Sequence, residues 1–226
     1  MKALLALLDN TVGQKIITAA TGLGLIAFVV GHLLGNLQMF LGPDAINNYA
    51  AQLKSLGPLL WVARIGLLAL ILLHISMTVR LALRNRRANP VTNRRIERHA
   101  STRSSRYMII SGSFILIFVI FHLLHFTMGV VQPAYADLTD ADGRHDVYTM
   151  VVRGFQNWAI AGFYVVAMVM LLSHLTHATF SVFQTLGVLK IAQDSRAKTV
   201  AKAVALVLAL GFISIPVAVL LRLITA

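Results

Sequence analysis

The sequence contains no cysteine among its 226 residues. Disulfides, iron–sulfur clusters and thiolate-ligated metals are therefore excluded within this chain. Charge is also scarce, because Asp, Glu, Lys and Arg make up 12% of the residues while 58% are hydrophobic, and the mean hydropathy is +0.77. A water-soluble domain of this size needs more polar surface. The composition therefore predicts an integral membrane protein.

Acidic residues are few as well, with eight Asp and Glu against twenty Lys and Arg, a formal net charge of +12. In a soluble protein this excess would suggest nucleic-acid binding. Here the basic residues are concentrated between long apolar runs, which is typical of membrane proteins that retain positive loops in the cytoplasm. We expect no nucleic-acid partner.

Five apolar segments are long enough to cross a bilayer as helices, which requires about 20 residues. They lie near residues 15–40, 59–84, 107–131, 156–184 and 200–224. No alternating strand pattern competes with them. We expect an all-α fold in which residues 1–226 form one bundle of five transmembrane helices. The first residues, through Gln14, are interpreted as a cytoplasmic lead-in rather than a cleaved signal peptide.

The connections between these spans differ in charge. The segment Arg80–Arg106 contains nine arginines and one acid, Glu97. The segment after span four is also basic, with Lys190, Arg196, Lys198 and Lys202. The connection between spans three and four is instead acidic, with Asp137, Asp140, Asp142 and Asp146 against Arg144. The positive-inside rule predicts a cytoplasmic N-terminus and an outside C-terminus.

Each of the first four spans carries a histidine deep in its apolar sequence, at His32, His74, His122 and His174. An imidazole in hydrocarbon is costly, so each is a functional hypothesis by default. At 1.5 Å per residue, His32 and His122 lie about 24–25 Å from the basic ends of their spans, in the outer half. His74 and His174 fall in the inner half by the same count. The histidines therefore sort into two pairs by depth.

Bis-histidine ligation of haem requires two neutral imidazoles at equal depth on facing helices, and a four-helix bundle supplies such inward side chains. Two pairs at different depths predict two stacked haems and a path for electrons across the membrane. Spans three and four each hold a second histidine three residues on, His125 and His177. Helix periodicity places each couple on nearly the same face, so periodicity leaves the choice of ligand open.

Four segments in this order resemble the cytochrome b membrane anchor of succinate:quinone oxidoreductase, of the five-helix, two-haem type. They are ATGLGLIAFVVGHLLGN, LLHISMTVRLALRN, SGSFILIFVIFHLLHFT and FYVVAMVMLLSHLTHATFSVFQTLG. The resemblance covers nearly the whole chain. In that family an [ST]-G pair, here Ser111–Gly112, lies eleven and ten positions before the span-three ligand, which implies His122. The family spacing from Tyr164 and to Gly187 implies His174 on span four.

The resemblance further implies a multi-pass subunit of the bacterial cytoplasmic membrane that binds a flavoprotein and an iron–sulfur subunit on the cytoplasmic side. Electrons from succinate would pass through two haems b to a membrane quinone, expected to be menaquinone. The chain would be the membrane subunit of this enzyme, a succinate dehydrogenase or its reverse, fumarate reductase, and would not itself bind succinate.

Several polar residues near the ends of the spans are further candidates. Contacts to haem propionates are expected from Arg64, Lys15, Ser105 and Arg106, which are equally suited to anchor the spans at the interface. A quinone site is expected at Asn36, Gln38, Asn48, Tyr49 and His125. Asp44 is the nearest candidate for the family's carboxylate beside an outer quinone site. The arginine-rich segment 84–103 is suited to dock the iron–sulfur subunit or to bind anionic membrane lipid.

A histidine-lined transporter of protons or metal ions is the competing function. Such a transporter is expected to show broken helices or carboxylates at mid-membrane. No Asp or Glu falls inside the five predicted spans. An absorption spectrum separates the two functions, because bound haem gives a Soret band and a transporter gives none.

Overall fold

The structure is a computed structural model that describes residues 9–88, 107–185, 187 and 195–226. These residues form seven α-helices and no strand, with one isolated bridge between Thr139 and His145. The all-α prediction is confirmed. The helices are α1 (Thr11–Asn36), α2 (Pro43–Ser55), α3 (Pro58–Ala88), α4 (Met108–His122), α5 (Val147–Gln156), α6 (Trp158–Thr185) and α7 (Ser195–Leu220).

Five of these helices are long and apolar enough to cross a membrane, as predicted. They are α1 with the 3-10 turn Leu37–Leu41, α3, α4 with the π turn Leu123–Thr127, α6 and α7. Large apolar side chains such as Leu68, Ile117 and Val207 are more than half exposed on their surfaces. Exposed apolar surface of this extent is unfavourable in water and favourable in lipid. The protein is therefore a multi-pass membrane protein.

Two helices, α2 and α5, lie in connections where the sequence predicted only loops. Pro43 opens α2, a position where its missing N–H costs no hydrogen bond. Asp146 caps α5 by accepting a hydrogen bond from the backbone N–H of Thr149. The two helices pack against each other, and Val152 and Phe155 of α5 are buried among apolar residues. We call this end of the bundle the cap end and the opposite end, with Lys15 and Arg84, the basic end.

The spans do not all touch one another. Helix α1 packs on α3, α6 and α7, while α4 packs on α6 and α6 packs on α7. Helix α3 packs mainly against α1, and none of the residues in its most apolar 18-residue stretch is buried. The close helix contacts therefore do not include the pair α1 and α4 or the pair α3 and α6. Both of these separated pairs carry the intramembrane histidines, and α7, which has none, packs on α6 and α1 and places Phe212 with its ring centroid 5.8 Å from that of His32.

Candidate functional site

The cap-side pair of histidines is brought together across the bundle. The ring centroids of His32 on α1 and His122 on α4 lie 5.8 Å apart, with the ring planes at 82°. Phe28 stacks on His32 at 5.4 Å, and Phe118 lies 5.8 Å from the His122 ring. The two imidazoles thus meet in an apolar, aromatic environment, although their helices are not in close contact.

This spacing suits a metal held between two imidazoles. Protein nitrogen ligands lie about 2 Å from a metal such as zinc, so two rings that share one metal have centroids roughly 6 Å apart. The distance of 5.8 Å is close to that value. Gly31, Gly66 and Gly162 are exposed, and a Cβ atom added at any of them would meet no atom within 4 Å. The residues present fit a bis-histidine haem.

On α4 the structure distinguishes His122 from His125. The His125 ring is 3% exposed, and its Nδ1 lies 2.9 Å from the Tyr164 hydroxyl while its Nε2 lies 2.9 Å from Gln132 Oε1. Both of its ring nitrogens are therefore occupied. His122 contacts the Tyr164 hydroxyl through Nδ1 alone, at 3.3 Å, and its Nε2 makes no hydrogen bond to any described residue. The geometry favours His122 as the ligand.

The π turn at the end of α4 explains this division. The backbone N–H of Met128 bonds to the Leu123 carbonyl at 2.8 Å, five residues back. This wider turn changes the direction of the side chains that follow His122. His125 is stacked on Phe126 with ring centroids 3.8 Å apart, and Phe155 of α5 lies edge-on to it. Regular helix periodicity had placed the two histidines on nearly the same face.

The basic-side pair is held by hydroxyl groups. Thr21 Oγ1 on α1 lies 3.1 Å from His74 Nδ1, and Ser111 Oγ on α4 lies 3.2 Å from His174 Nδ1. Each hydroxyl also reaches a carbonyl of its own helix, that of Ile17 at 2.7 Å for Thr21 and that of Met108 at 3.2 Å for Ser111. A hydroxyl that donates its proton to that carbonyl accepts the Nδ1–H of the histidine. That tautomer leaves Nε2 with a lone pair for a metal.

A glycine beside each hydroxyl lets the histidine approach. A Cβ atom at Gly22 would lie 3.3 Å from His74 Cε1, and one at Gly112 would lie 3.4 Å from His174 Cε1. A side chain at Gly22 would require the His74 imidazole to move by a few tenths of an ångström, whereas one at Gly112 would be at van der Waals contact with His174. No ring contact joins His74 to His174 in the part of the chain that the structure describes, so each is positioned by a neighbouring helix.

The two hydroxyl–glycine pairs reveal a repeat that the sequence analysis missed. Thr21 precedes His32 by eleven residues, and Ser111 precedes His122 by the same number. Eleven residues make about three helical turns, so hydroxyl and histidine share a face about 16 Å apart. Helices α1 and α4 thus each carry the positioning pair for one tier and a histidine of the other. The matching spacing of Thr-Gly and Ser-Gly pairs was visible in the sequence.

Two hydroxyl groups near the basic-side tier have no hydrogen-bond partner among the described residues. They are the buried Oγ1 atoms of Thr18, one turn before Thr21, and Thr179, five residues after His174. A buried hydroxyl without a partner is unfavourable. His177 lies half-buried on the same helix as Thr179.

The residues predicted to contact haem propionates do not form one group in the structure. Arg64 is exposed on α3, with its guanidinium carbon 5.1 Å from the centroid of the Trp61 ring. Lys15 is exposed at the basic end. Ser105 and Arg106 lie outside the described residues. Arg64 and Lys15 thus have positions that also suit interfacial anchors, and their roles stay predictions.

The predicted quinone residues lie at the cap end but do not form one hydrogen-bonded group. Asn36 donates to the His32 carbonyl at 2.7 Å, and its amide nitrogen lies 3.4 Å from His32 Nε2. Asn48 accepts a hydrogen bond from Arg144, and the Tyr49 ring fills the space beside Gly35. Gln38 is half-buried and His125 is enclosed. A quinone site formed by these residues stays a prediction.

A polar cluster instead joins the cap connections to each other. Arg144 forms ion pairs with Asp44, Asp140 and Asp142 at 2.7–2.9 Å. Asp44, the nearest candidate for a quinone-site carboxylate, is thus engaged by Arg144 and is 88% exposed. The fully buried Asn47 donates to Asp140 and to Asp146, both at 3.1 Å. This cluster fastens α2 to the connection before α5.

The electrostatics of the cap are dominated by these hydrogen bonds. Desolvation acts to raise the pKa of Asp140, but hydrogen bonds from the backbone and side chain of Arg144 and from Asn47 outweigh it and lower that pKa. For Asp146 desolvation is likewise outweighed, here by hydrogen bonds from Thr149 and Asn47, so its pKa is also lowered. Both carboxylates are held in their charged form.

Within the described residues, no group of three or more His, Asp or Glu side chains is arranged to hold a metal ion. The candidate ligands are therefore the two histidine pairs. No family model, no curated protein and no solved structure matches this chain.

Proposed function

We propose that this chain is the dihaem cytochrome b anchor of a succinate:quinone oxidoreductase. The observation that carries the proposal is the two-tier arrangement of histidines on helix pairs that do not pack closely. One pair meets at 5.8 Å, and both histidines of the other pair have Nδ1 engaged by a hydroxyl. A hydrogen bond at Nδ1 leaves Nε2 of His74 and His174 as the nitrogen that can ligate a metal.

In this function His32 and His122 hold one haem b, and His74 and His174 hold the second. When bound, each haem supplies a centre that accepts and releases one electron. The protein supplies the orientation: Thr21 and Ser111 fix the basic-side rings, and aromatic residues keep water from the cap-side rings.

The charge distribution supports the assignment of the two ends. The basic end faces the cytoplasm under the positive-inside rule and there binds the flavoprotein and iron–sulfur subunits, which oxidise succinate or reduce fumarate. The quinone, menaquinone in our assignment, then reacts near the cap end, in a bacterial cytoplasmic membrane. The chain itself carries electrons and does not bind succinate.

No observation favours the competing transporter. The described parts of the spans contain no Asp or Glu near the histidines. The π turn Leu123–Thr127, at the cap end of its span, encloses His125 in an aromatic cluster rather than opening a passage.

The test is the haem content of the purified protein and of single histidine variants. We expect a Soret band and two haems per chain, with at least one lost when His32, His74, His122 or His174 is replaced by leucine. His177→Leu is the matched control, since it makes the same change as His174→Leu on the same helix, and it should keep two haems. A colourless wild-type protein, or two haems in any of the four ligand variants, contradicts the proposal. Copurification of a flavoprotein and an iron–sulfur subunit tests the assignment to this enzyme.

A further inference from the structure

A hydrogen-bonded chain of four side chains leads from the cap-side histidine pair to the cap. It runs from His122 Nδ1 to the Tyr164 hydroxyl at 3.3 Å, from that hydroxyl to His125 Nδ1 at 2.9 Å, and from His125 Nε2 to Gln132 Oε1 at 2.9 Å. Tyr164 is 7% exposed and His125 is 3% exposed, whereas Gln132 is half-buried. This hydrogen-bonded path thus begins at His122, a candidate ligand, and ends at Gln132, where the connection at the cap end starts.

Gln132, at the end of this hydrogen-bonded path, determines which atom donates and which accepts in each hydrogen bond. Gln132 Oε1 can only accept, so His125 Nε2 carries the proton of that neutral ring and Nδ1 is left as an acceptor. The Tyr164 hydroxyl donates to that Nδ1. Its oxygen is then the acceptor for the Nδ1–H of His122. The Tyr164 oxygen thus has two partners on the path, His122 Nδ1, His125 Nδ1 and His125 Nε2 have one each, and His122 Nε2 is left with its lone pair.

We propose that Tyr164, backed by His125 and Gln132, is a positioning residue that fixes the tautomer and ring plane of His122. The tautomer follows from the hydrogen bonds alone, and only the identity of the bound group rests on the proposed function. A strong acceptor at Nδ1–H makes an imidazole a better electron donor to its metal. Tyr164 therefore lowers the reduction potential of a haem held by His122.

The surroundings keep this arrangement from exchanging with water. The aromatic rings of Phe118, Phe126 and Phe155 lie 4.9–5.8 Å from the Tyr164 ring. In such a low-dielectric cluster a hydrogen bond is stronger, and the loss of one partner is more costly, than at a surface. The basic-side histidines have only aliphatic hydroxyls at Nδ1, so the two tiers are positioned by different chemistry.

The test compares Tyr164→Phe with Tyr148→Phe in the intact complex. Tyr148 is a buried tyrosine of the same apolar cluster and takes no part in the chain, so the control makes the same change nearby. In Tyr164→Phe we expect the midpoint potential of one haem to rise, by about 59 mV if the ferric form loses tenfold in relative affinity. The second haem and the Tyr148→Phe protein should keep wild-type potentials. A wild-type potential for both haems in Tyr164→Phe overturns the proposal.

Variants of Gln132 test the direction of the hydrogen bonds at the cap end of the path. Gln132→Glu retains an acceptor and adds a negative charge, so the potential of this haem should stay at or below the wild-type value, whereas Gln132→Leu removes the acceptor and should shift it upward. This pair gives the same information if Tyr164→Phe does not accumulate in membranes. Equal potentials in both Gln132 variants contradict the assignment of proton direction.

A second measurement separates this inference from the proposed function. Nitrogen-15 NMR of histidine-labelled protein reports which ring nitrogen carries the proton, with or without haem, and His122→Leu identifies the relevant signal. We expect Nδ1–H for His122 in the wild type and a mixture of tautomers in Tyr164→Phe. If the protein contains no haem, the proposed function fails, but this spectrum still tests whether Tyr164 fixes the tautomer of His122. An unchanged His122 tautomer in Tyr164→Phe overturns the inference whatever the haem content.

Discussion

At the scale of single residues, Thr21 and Gly22 act on His74 in two distinct ways. The hydroxyl accepts the Nδ1–H, and the glycine provides the space in which the ring lies. Ser111 and Gly112 do the same for His174. The hydroxyl residue orients the imidazole, whereas the glycine leaves room for it. Their contributions can therefore be separated by substituting each residue alone.

We expect Gly22→Ala to lower the content of the basic-side haem while the cap-side haem remains. The new Cβ would lie 3.3 Å from His74 Cε1, so the imidazole must move by a few tenths of an ångström. Gly24→Ala is the matched control on the same helix, since its Cβ would also lie 3.3 Å from its neighbour, the flexible end of Leu70. Haem quantification and low-temperature absorption spectra measure the effect. Equal haem content in the two variants would show that the contact at Gly22 is unimportant.

Thr21→Val keeps the shape of the side chain and removes the acceptor. Loss of a hydrogen bond behind a metal ligand commonly lowers metal affinity 10–100-fold, so we expect the basic-side haem to dissociate more readily. Thr21→Ser restores the hydroxyl and should retain the wild-type affinity. Haem transfer to an excess of apomyoglobin measures dissociation. A valine variant that behaves like the serine variant would refute the role of the hydroxyl.

At the scale of elements, the cap is held together by polar contacts rather than by apolar packing alone. The Asn47 side chain of α2 reaches Asp140, Asp146 and the backbone N–H of Tyr148, three partners on the connection and the start of α5. Helices of this length are marginal alone. Their stability therefore depends on this buried amide.

We expect Asn47→Ala to destabilise the cap by about 1–3 kcal/mol, because it leaves buried partners unsatisfied. Asn48→Ala is the control, since Asn48 is exposed beside it and makes one hydrogen bond to Arg144. Hydrogen exchange of α2 and α5 measures the difference. The same exchange rates in both variants would mean that Asn47 does not support the cap.

The cap should also lose stability at low pH. The folded pKa values of Asp140 and Asp146 lie below their ordinary value, because hydrogen bonds from Arg144, Thr149 and Asn47 outweigh desolvation. A carboxyl group whose pKa is lower in the folded state stabilises that state above the unfolded pKa of about 3.9. This stabilisation is lost as the pH falls through the folded pKa. We expect the protection of α5 amides from hydrogen exchange, relative to unstructured peptide at the same pH, to fall below about pH 4 while that of α6 is unaffected. A uniform loss of protection across the bundle would contradict this local origin.

At the scale of the whole molecule, the absence of cysteine makes the orientation directly measurable. A single cysteine at Asp142, in the exposed cap connection, should react with a membrane-impermeant maleimide from outside intact cells. One at Lys202, near the start of α7, should react only after the membrane is opened, because the positive-inside rule predicts that the basic end faces the cytoplasm. Full protein levels for both variants serve as the control. The reverse labelling pattern would invert the topology and place the dehydrogenase subunits on the wrong side.

The sequence alone determined the number of spans and the depth of each histidine. A helix in hydrocarbon must be apolar for about 20 residues and rises by a constant amount per residue, so both follow from position along the chain. The five spans are confirmed, and the structure brings His32 and His122 into ring contact. Even the Thr-Gly and Ser-Gly spacing was readable, because eleven residues return a helix to the same face.

Only the tertiary structure decided what surrounds those histidines. His122 and His125 differ because a π turn and Tyr164, about 40 positions away in sequence, engage both nitrogens of one ring and only Nδ1 of the other. Arg144 binds Asp44 from 100 residues away. Neither the polar cluster of the cap nor the ion pair formed by Asp44 could therefore be predicted from the neighbouring sequence. Periodicity gives the face and depth of a side chain. Its hydrogen-bond partners depend on which distant elements pack beside it.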